Sequence, residues 1–270
     1  MTGHDIRFGR LLPEAENAVI VAMDHGEFFG PTQGLIELPK VIQSVRAADA
    51  ILLSPGMVAH CKEAFAQRGA PLVILRLNWS SVYCFQWDYS EGHTVAVITP
   101  EEALALGADV GLASLILTTT DESRDAANVE NFARIAAEAR AAGLPLIGEY
   151  FPPDAEKVER EALHDKVYAA ARILAEVGAD AIKTFYTGER FAEVTQACPA
   201  PIFALGAQKL PREVDALRLA HAAVQAGARG VVFGRNVIQA RDPTKFLGAL
   251  KRVVAREATP QEAAATARLL

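Results

Sequence analysis

Short apolar runs, most of them bounded by glycine or proline, recur along the chain. They cover Asn17–Gly26, which ends in Asp24-His25-Gly26; Ala48–Ser54, closed by Pro55-Gly56; Pro71–Asn78; and Asp109–Leu117, which follows Gly107. Four more follow at Leu144–Phe151 (between Gly143 and Pro152-Pro153), Gly178–Gly188, Pro201–Gly206 and Gly230–Gly234. Between them lie alanine-rich amphipathic stretches that predict helices, clearest over Asn128–Ala142, Glu156–Val177 and Pro211–Ala226. Each of these three ends at a glycine (Gly143, Gly178, Gly227), as helix C-termini prefer. Apolar strands alternating with helices read as a parallel sheet covered on both faces. Eight such units in 270 residues favour closure into a (β/α)8, or TIM, barrel in the α/β class over an open doubly wound sheet. No Gly-x-Gly-x-x-Gly follows the first run, which weakens a dinucleotide-binding fold further.

Two segments break the pattern. Asn78–Thr99 is long, irregular and aromatic, with Trp79, Tyr83, Phe85, Trp87 and Tyr89. Its place after the third strand sets it over the barrel mouth, as a lid or substrate-lining loop or as an oligomer contact. The alanine-rich tail from Pro260 predicts one more helix, outside the barrel or on a neighbouring copy. We therefore read residues 1–270 as one barrel domain with a C-terminal helix.

In such a barrel the chemistry collects at the C-terminal ends of the strands. Strand one brings Asp24 and His25 there, strand five Glu149 and Tyr150, and strand six Lys183. A lysine inside an apolar strand is costly to bury as an ammonium, and an amine made neutral there attacks carbonyls to form a Schiff base. The alternative at this point is a lysine paired with a carboxylate for structural reasons. The loops after strands seven and eight, Gly206-Ala207 and Gly234-Arg235-Asn236, are small-residue turns at the usual phosphate position of this fold. Arg235 can clamp the phosphate and Lys209 can add charge. Alternatively the glycines only permit tight turns. The other histidines, His4, His60, His93, His164 and His221, read as surface residues, and no metal-ligand spacing emerges.

Composition narrows the class further. Hydrophobic residues make up 51% and charged residues 22%, enough for a large core and without a disorder signature. A formal charge of −6 without a basic block argues against a nucleic-acid binder. Three scattered cysteines, Cys61, Cys84 and Cys198, fit a reducing compartment. No apolar stretch reaches membrane-spanning length and the start lacks a signal-peptide core, so a cytoplasmic protein with no membrane partner is expected.

On these residues the chain resembles the archaeal-type class I fructose-bisphosphate aldolase family, which includes the 2-amino-3,7-dideoxy-heptulosonate synthases and the autoinducer-2 phosphate thiolases. The resemblance runs from Met23-Asp24-His25-Gly26 through Glu101-Glu102-Ala103, Gly107-Ala108-Asp109, Lys183-x-x-Tyr186-Thr187-Gly188 and the Gly-Ala-x-Lys loop at 206–209 to Gly234-Arg235-Asn236-Val237-Ile238-Gln239. It implies a Schiff-base lyase without cofactor or metal, Lys183 as nucleophile, and Asp24 assisting proton transfer and hydroxyl binding. It further implies a substrate phosphate on Gly206, Ala207, Lys209, Gly234 and Arg235. The implied substrate is a phosphorylated sugar, by default fructose 1,6-bisphosphate, cleaved to dihydroxyacetone phosphate and glyceraldehyde 3-phosphate. The alternatives are a heptulosonate synthase-like or thiolase-like transfer on another phosphorylated keto compound, and a non-catalytic barrel that binds a phosphorylated ligand. Homo-oligomers, pentamers or decamers, belong to the same expectation.

The chain departs from the family pattern at three places. The family carries a tyrosine directly before the strand-five proline, whereas Glu149-Tyr150-Phe151-Pro152 has it one residue earlier. Either the strand shifts so that Tyr150 faces inward, or Phe151 takes that place and Glu149, on the same face, supplies the acid. The reading favours Tyr150. Ala207 replaces a glycine, and the aromatic 79–89 stretch replaces a more polar Asn-Gly-x-Thr sequence.

Overall fold

The computed structural model describes residues 2–89, 91–155 and 157–269. Eight parallel strands close into a barrel: β1 (Ala18–Ala22), β2 (Ala50–Leu53), β3 (Leu72–Arg76), β4 (Val110–Ser114), β5 (Leu146–Glu149), β6 (Ala181–Phe185), β7 (Ile202–Leu205) and β8 (Gly230–Phe233). Each pairs with its sequence neighbours, and β8 closes on β1. All eight coincide with the apolar runs of the sequence. The strands are buried along nearly their whole length, because helices cover the outside and side chains fill the inside.

The period of two along each strand separates two apolar layers. Ile20, Leu52, Ile74, Leu112, Ile147, Ala181, Phe203 and Val232 point inward and pack on one another. Phe8, Leu11 and Leu12 join this layer, so the N-terminal helix Thr2–Leu11 closes the barrel floor. Val21, Ile51, Leu75, Leu146 and Ile182 point outward against the helices.

One device fixes the bottom of the barrel three times. Asp49, Asp109 and Asp180 precede β2, β4 and β6, and each carboxylate accepts a backbone N–H from the preceding strand. The donors are Val19 at 2.7 Å, Val73 at 3.0 Å and Leu146 at 2.8 Å. These bonds give the Ala-Asp and Gly-Ala-Asp repeats a structural role: they pin the strand starts.

Helix boundaries differ modestly from the sequence reading. The helix expected from Asn128 begins at Glu122, because Asp121 caps it by accepting from the backbone of Ser123 and Arg124. Glu156 lies outside the described residues, and the helix expected from it spans Arg160–Val177. The third spans Glu213–Gln225. The tail helix Pro260–Ala267 starts at a capping box formed by Thr259 and Glu262 and packs outside the barrel on Pro243–Val254 and Glu213–Gln225. His164 is a correction: it is buried, with Nδ1 2.8 Å from the Thr187 hydroxyl.

The segment after β3 is more ordered than its composition suggests. Asn78–Ser80 pairs antiparallel with Thr94–Ala96, and two short 3-10 turns, Ser81–Tyr83 and Phe85–Trp87, lie between them. Among the described residues, no helix is long and apolar enough to cross a membrane.

Candidate active site

Inward parity carries chemistry to the C-terminal rim. Continuing each inward series by one step gives Asp24 after Ala22, Arg76 after Ile74, Ser114 after Leu112, Glu149 after Ile147 and Lys183 after Ala181. All five side chains are buried. Ser114, Glu149 and Lys183 are in register across β4, β5 and β6.

Their contacts form one network. Glu149 Oε1 lies 2.5 Å from Lys183 Nζ, and Glu149 Oε2 accepts from Arg76 Nη2 at 2.7 Å. Arg76 Nε donates to Asp24 Oδ2 at 2.6 Å, and its Nη1 donates to the Ser114 hydroxyl at 2.9 Å. Ser114 also donates to Glu149 at 3.1 Å and meets the Tyr83 hydroxyl at 2.9 Å. The Arg76 guanidinium lies 5.1 Å from the Phe28 ring and 5.3 Å from the Tyr83 ring. Two carboxylates thus balance two cations, the condition under which ions survive burial.

The electrostatics follow from this pairing. Burial would raise the Glu149 carboxyl, but Lys183 and Arg76 outweigh it and hold it well below the carboxylate range. Asp24 is held below its ordinary value in the same way, burial being overcome by Arg76 and Lys183. His25, at the start of the next turn, is pushed down to about 4, chiefly by burial. Its ring occupies the space beside Gly234, where a Cβ would stand 2.3 Å from His25 Cε1. That close approach requires glycine at 234.

Asp24, His25, Phe28, Arg76, Tyr83, Glu149, Lys183 and Gly234 line one cavity at this end of the barrel, open to solvent. Asp24, Glu149, Lys183, Gly206, Ala207, Gly234 and Arg235 from the sequence reading all face it. Arg235 also donates to the Ala207 carbonyl at 3.0 Å, tying the two loops together.

Two expected residues do not face it. Tyr150 points outward with Leu146 into the strand–helix layer, its hydroxyl 3.4 Å from Thr118, and burial pushes its phenol up to about 12. The strand has not shifted: Glu149 shares the inward face with Ile147, and Phe151 reaches the cavity one step further on. The favoured orientation of Tyr150 is thereby corrected. Lys209 is exposed, and its ammonium is bonded to the Gln239 carbonyl, so it stays out of the cavity.

Sequence reading missed Arg76, Ser114, Phe28 and Phe29, whereas Tyr83 and Phe85 belong to the aromatic segment it read as a lid, a substrate-lining loop or an oligomer contact, and both line the cavity. Arg76 carried a usable signal: a charged residue ending an apolar run that must be buried on both sides, the same anomaly as Lys183. Ser114, Phe28 and Phe29 carried none that set them apart from core residues.

Known proteins match this chain in sequence and fold. The model of the DeoC/LacD family aldolases matches residues 18–240, from β1 to the turn beyond β8. The chain belongs to the DeoC/LacD aldolase family. It is 32% identical over 270 residues to an uncharacterized aldolase of Saccharolobus solfataricus, covering 97% of this chain and 98% of that protein. It is 30% identical over 256 residues to a 3-hydroxy-5-phosphonooxypentane-2,4-dione thiolase of Yersinia pestis, covering 93% of this chain and 82% of that one. Among solved structures, an archaeal fructose 1,6-bisphosphate aldolase superposes with a TM-score of 0.78 at 29% identity, covering 94% of this chain and 99% of that chain. Another archaeal fructose-1,6-bisphosphate aldolase, with its catalytic lysine bound to the carbinolamine intermediate, gives 0.78 at 28% identity over 93% and 99%. This is an aldolase family that works through a Schiff-base lysine.

Proposed function

We propose that the protein is a class I aldolase that reversibly cleaves a phosphorylated ketose, with Lys183 as the Schiff-base nucleophile. The observation that carries this reading is the contact of 2.5 Å between Lys183 Nζ and Glu149 Oε1 at the cavity floor. A lysine must shed a proton to attack a ketone, and Glu149 is placed to take it. The amine adds to the carbonyl carbon, the carbinolamine hydroxyl leaves as water with the proton that Glu149 returns to it, and the resulting iminium accepts the electron pair released when the carbon–carbon bond breaks. Glu149 then takes the proton of the C4 hydroxyl as that oxygen becomes the aldehyde carbonyl. Asp24, held by Arg76 at 2.6 Å, orients the hydroxyls of the donor half. Arg235 and the backbone of the Gly206-Ala207 and Gly234 turns receive the phosphate.

Because Tyr150 faces away from the cavity, we assign the acid/base role to Glu149. Fructose 1,6-bisphosphate, the substrate named for the archaeal neighbours, is the first compound to assay. A transfer reaction on another phosphorylated keto compound is the second reading, motivated by the thiolase relative. Cleavage assays with ketose phosphates, repeated with Lys183→Ala, test the proposal. Undiminished cleavage by the variant, or its abolition in the native enzyme by a chelator, would sink it.

A further inference from the structure

The cavity has two unlike sides. On the β7–β8 side stand Gly206, Ala207, Gly234 and Arg235. A second stretch of wall is aromatic: Phe28 and Phe29 after β1, the neighbour of β8, and Tyr83, Phe85 and Phe151 after β3 and β5, further round the barrel. These rings touch in sequence: Phe28 to Tyr83 at 4.8 Å between centroids, Tyr83 to Phe151 at 5.2 Å, Phe151 to Phe85 at 6.0 Å and Phe85 to Phe29 at 5.7 Å. Phe185, beyond Lys183 on β6, extends the wall at 4.8 Å from Phe151.

Cations are distributed as unevenly. Besides Lys183, the cationic residues lining the cavity are Arg76 and Arg235. Arg76 is engaged through all three nitrogens with Asp24, Ser114 and Glu149. Arg235 lies on the β8 side, remote in the ring order from β3 and β5. A ketose bisphosphate carries a phosphate at each end, and with one on the β7–β8 turns the other finds no cation among the lining residues of the aromatic stretch except Arg76, which is already engaged. Removing a dianion from water without donors is costly. An apolar or aromatic group against the same rings gains buried area and ring stacking instead.

We propose that this aldolase takes a ketose carrying one phosphate, whose far end is apolar, and so releases or accepts an uncharged aliphatic or aromatic aldehyde. The proposal rests on the Schiff-base reading above and narrows its substrate. In the synthetic direction, the enamine formed on Lys183 from dihydroxyacetone phosphate attacks the aldehyde carbon. The carbonyl electron pair moves to oxygen, which takes a proton to become the C4 hydroxyl, and water then releases the ketose from the iminium. Phe85 and Phe151 select the acceptor; they do not take part in proton transfer.

Two measurements separate this proposal from the reading beneath it. First, the native enzyme is reduced with borohydride in the presence of dihydroxyacetone phosphate alone, and the adduct on Lys183 is sought by mass. Second, kcat/KM for condensation is compared between butanal or phenylacetaldehyde and glyceraldehyde 3-phosphate. The expected result is an adduct, with an apolar aldehyde favoured by about tenfold or more, the scale on which apolar contacts discriminate. Phe85→Arg and Phe151→Arg should each shift that ratio toward glyceraldehyde 3-phosphate. An adduct together with preference for glyceraldehyde 3-phosphate overturns the aldehyde proposal and leaves the Schiff-base reading standing. Absence of an adduct overturns both.

Discussion

Glu149 and Lys183 stand in register on neighbouring strands, with a carboxylate oxygen 2.5 Å from the amine nitrogen. Such a pair can be read as structure alone, since each ion solves the burial problem of the other. Its position in the lining of the cavity gives it a second use, because a proton moved from amine to carboxylate leaves a nucleophile. Glu149→Gln keeps the shape and removes the acceptor. It should lower kcat on the order of 10²- to 10⁴-fold, with far less effect on KM. Steady-state kinetics on the same ketose phosphate check this.

Tyr150→Phe is the companion variant. Its hydroxyl is outside the cavity and makes a long contact with Thr118, so kcat should stay within about threefold and stability should fall by at most ~1 kcal/mol. A large loss of kcat without loss of fold would return the acid/base role to Tyr150.

Arg76 holds Asp24 and Glu149 in place. Arg76→Met removes the guanidinium but fills similar space, leaving Asp24 buried without its partner. Breaking a buried pair in this way costs about 3–5 kcal/mol. Urea unfolding at neutral pH should show that loss, and activity should fall in parallel because Asp24 is no longer aimed. A change in stability under ~1 kcal/mol would contradict the network's structural role.

A pH signature comes from His25 and Glu27, which shift in opposite directions. Burial holds His25 neutral, moving it from 6.5 down to about 4, and holds the Glu27 carboxyl protonated, moving it from 4.5 up to about 7. For His25 the unfolded chain takes up a proton below 6.5 while the folded one does not, so its contribution is present above 6.5 and lost as pH falls toward 4. For Glu27 the folded chain keeps a proton that the unfolded one releases, so its contribution is present below 4.5 and lost as pH rises through 7. Between 4.5 and 6.5 these two slopes offset one another. Glu27→Gln should therefore unmask a loss of stability as pH falls through that window, on the order of 3 kcal/mol at its full extent. Urea midpoints across pH, for native protein and variant, read this directly.

Gly234→Ala tests the packing that positions His25. The added methyl would overlap the imidazole, so the ring or the β8 turn must move. Binding of the phosphate end should weaken by about tenfold or more, seen as a raised KM, while far-UV circular dichroism stays unchanged. An unchanged KM would separate Gly234 from substrate binding.

The barrel was legible because parallel strands buried on both faces leave continuous apolar runs, and each of the eight runs became a strand. Lys183 and Asp24 were legible because a charge at the end of such a run is costly to bury and persists there only when it is paired or used. Strand five was harder. Orientation there depends on a parity that runs Leu146 out, Ile147 in, Gly148 out and Glu149 in, and it is set by which side of the sheet the strand's first residue occupies. A motif shifted by one residue invites the opposite assignment. Lys209 was misplaced for a different reason: a long flexible side chain satisfies itself on the nearest carbonyl, here that of Gln239, and sequence position says nothing of that choice. The aromatic wall joins residues from three separate loops, so its continuity exists only in space.

The central claim is a covalent bond at Lys183. Incubation with dihydroxyacetone phosphate, reduction with borohydride and peptide mass spectrometry should show the reduced ketose-phosphate adduct on the peptide bearing Lys183, and none in Lys183→Ala. An unmodified Lys183, or an adduct located on another lysine, would contradict it.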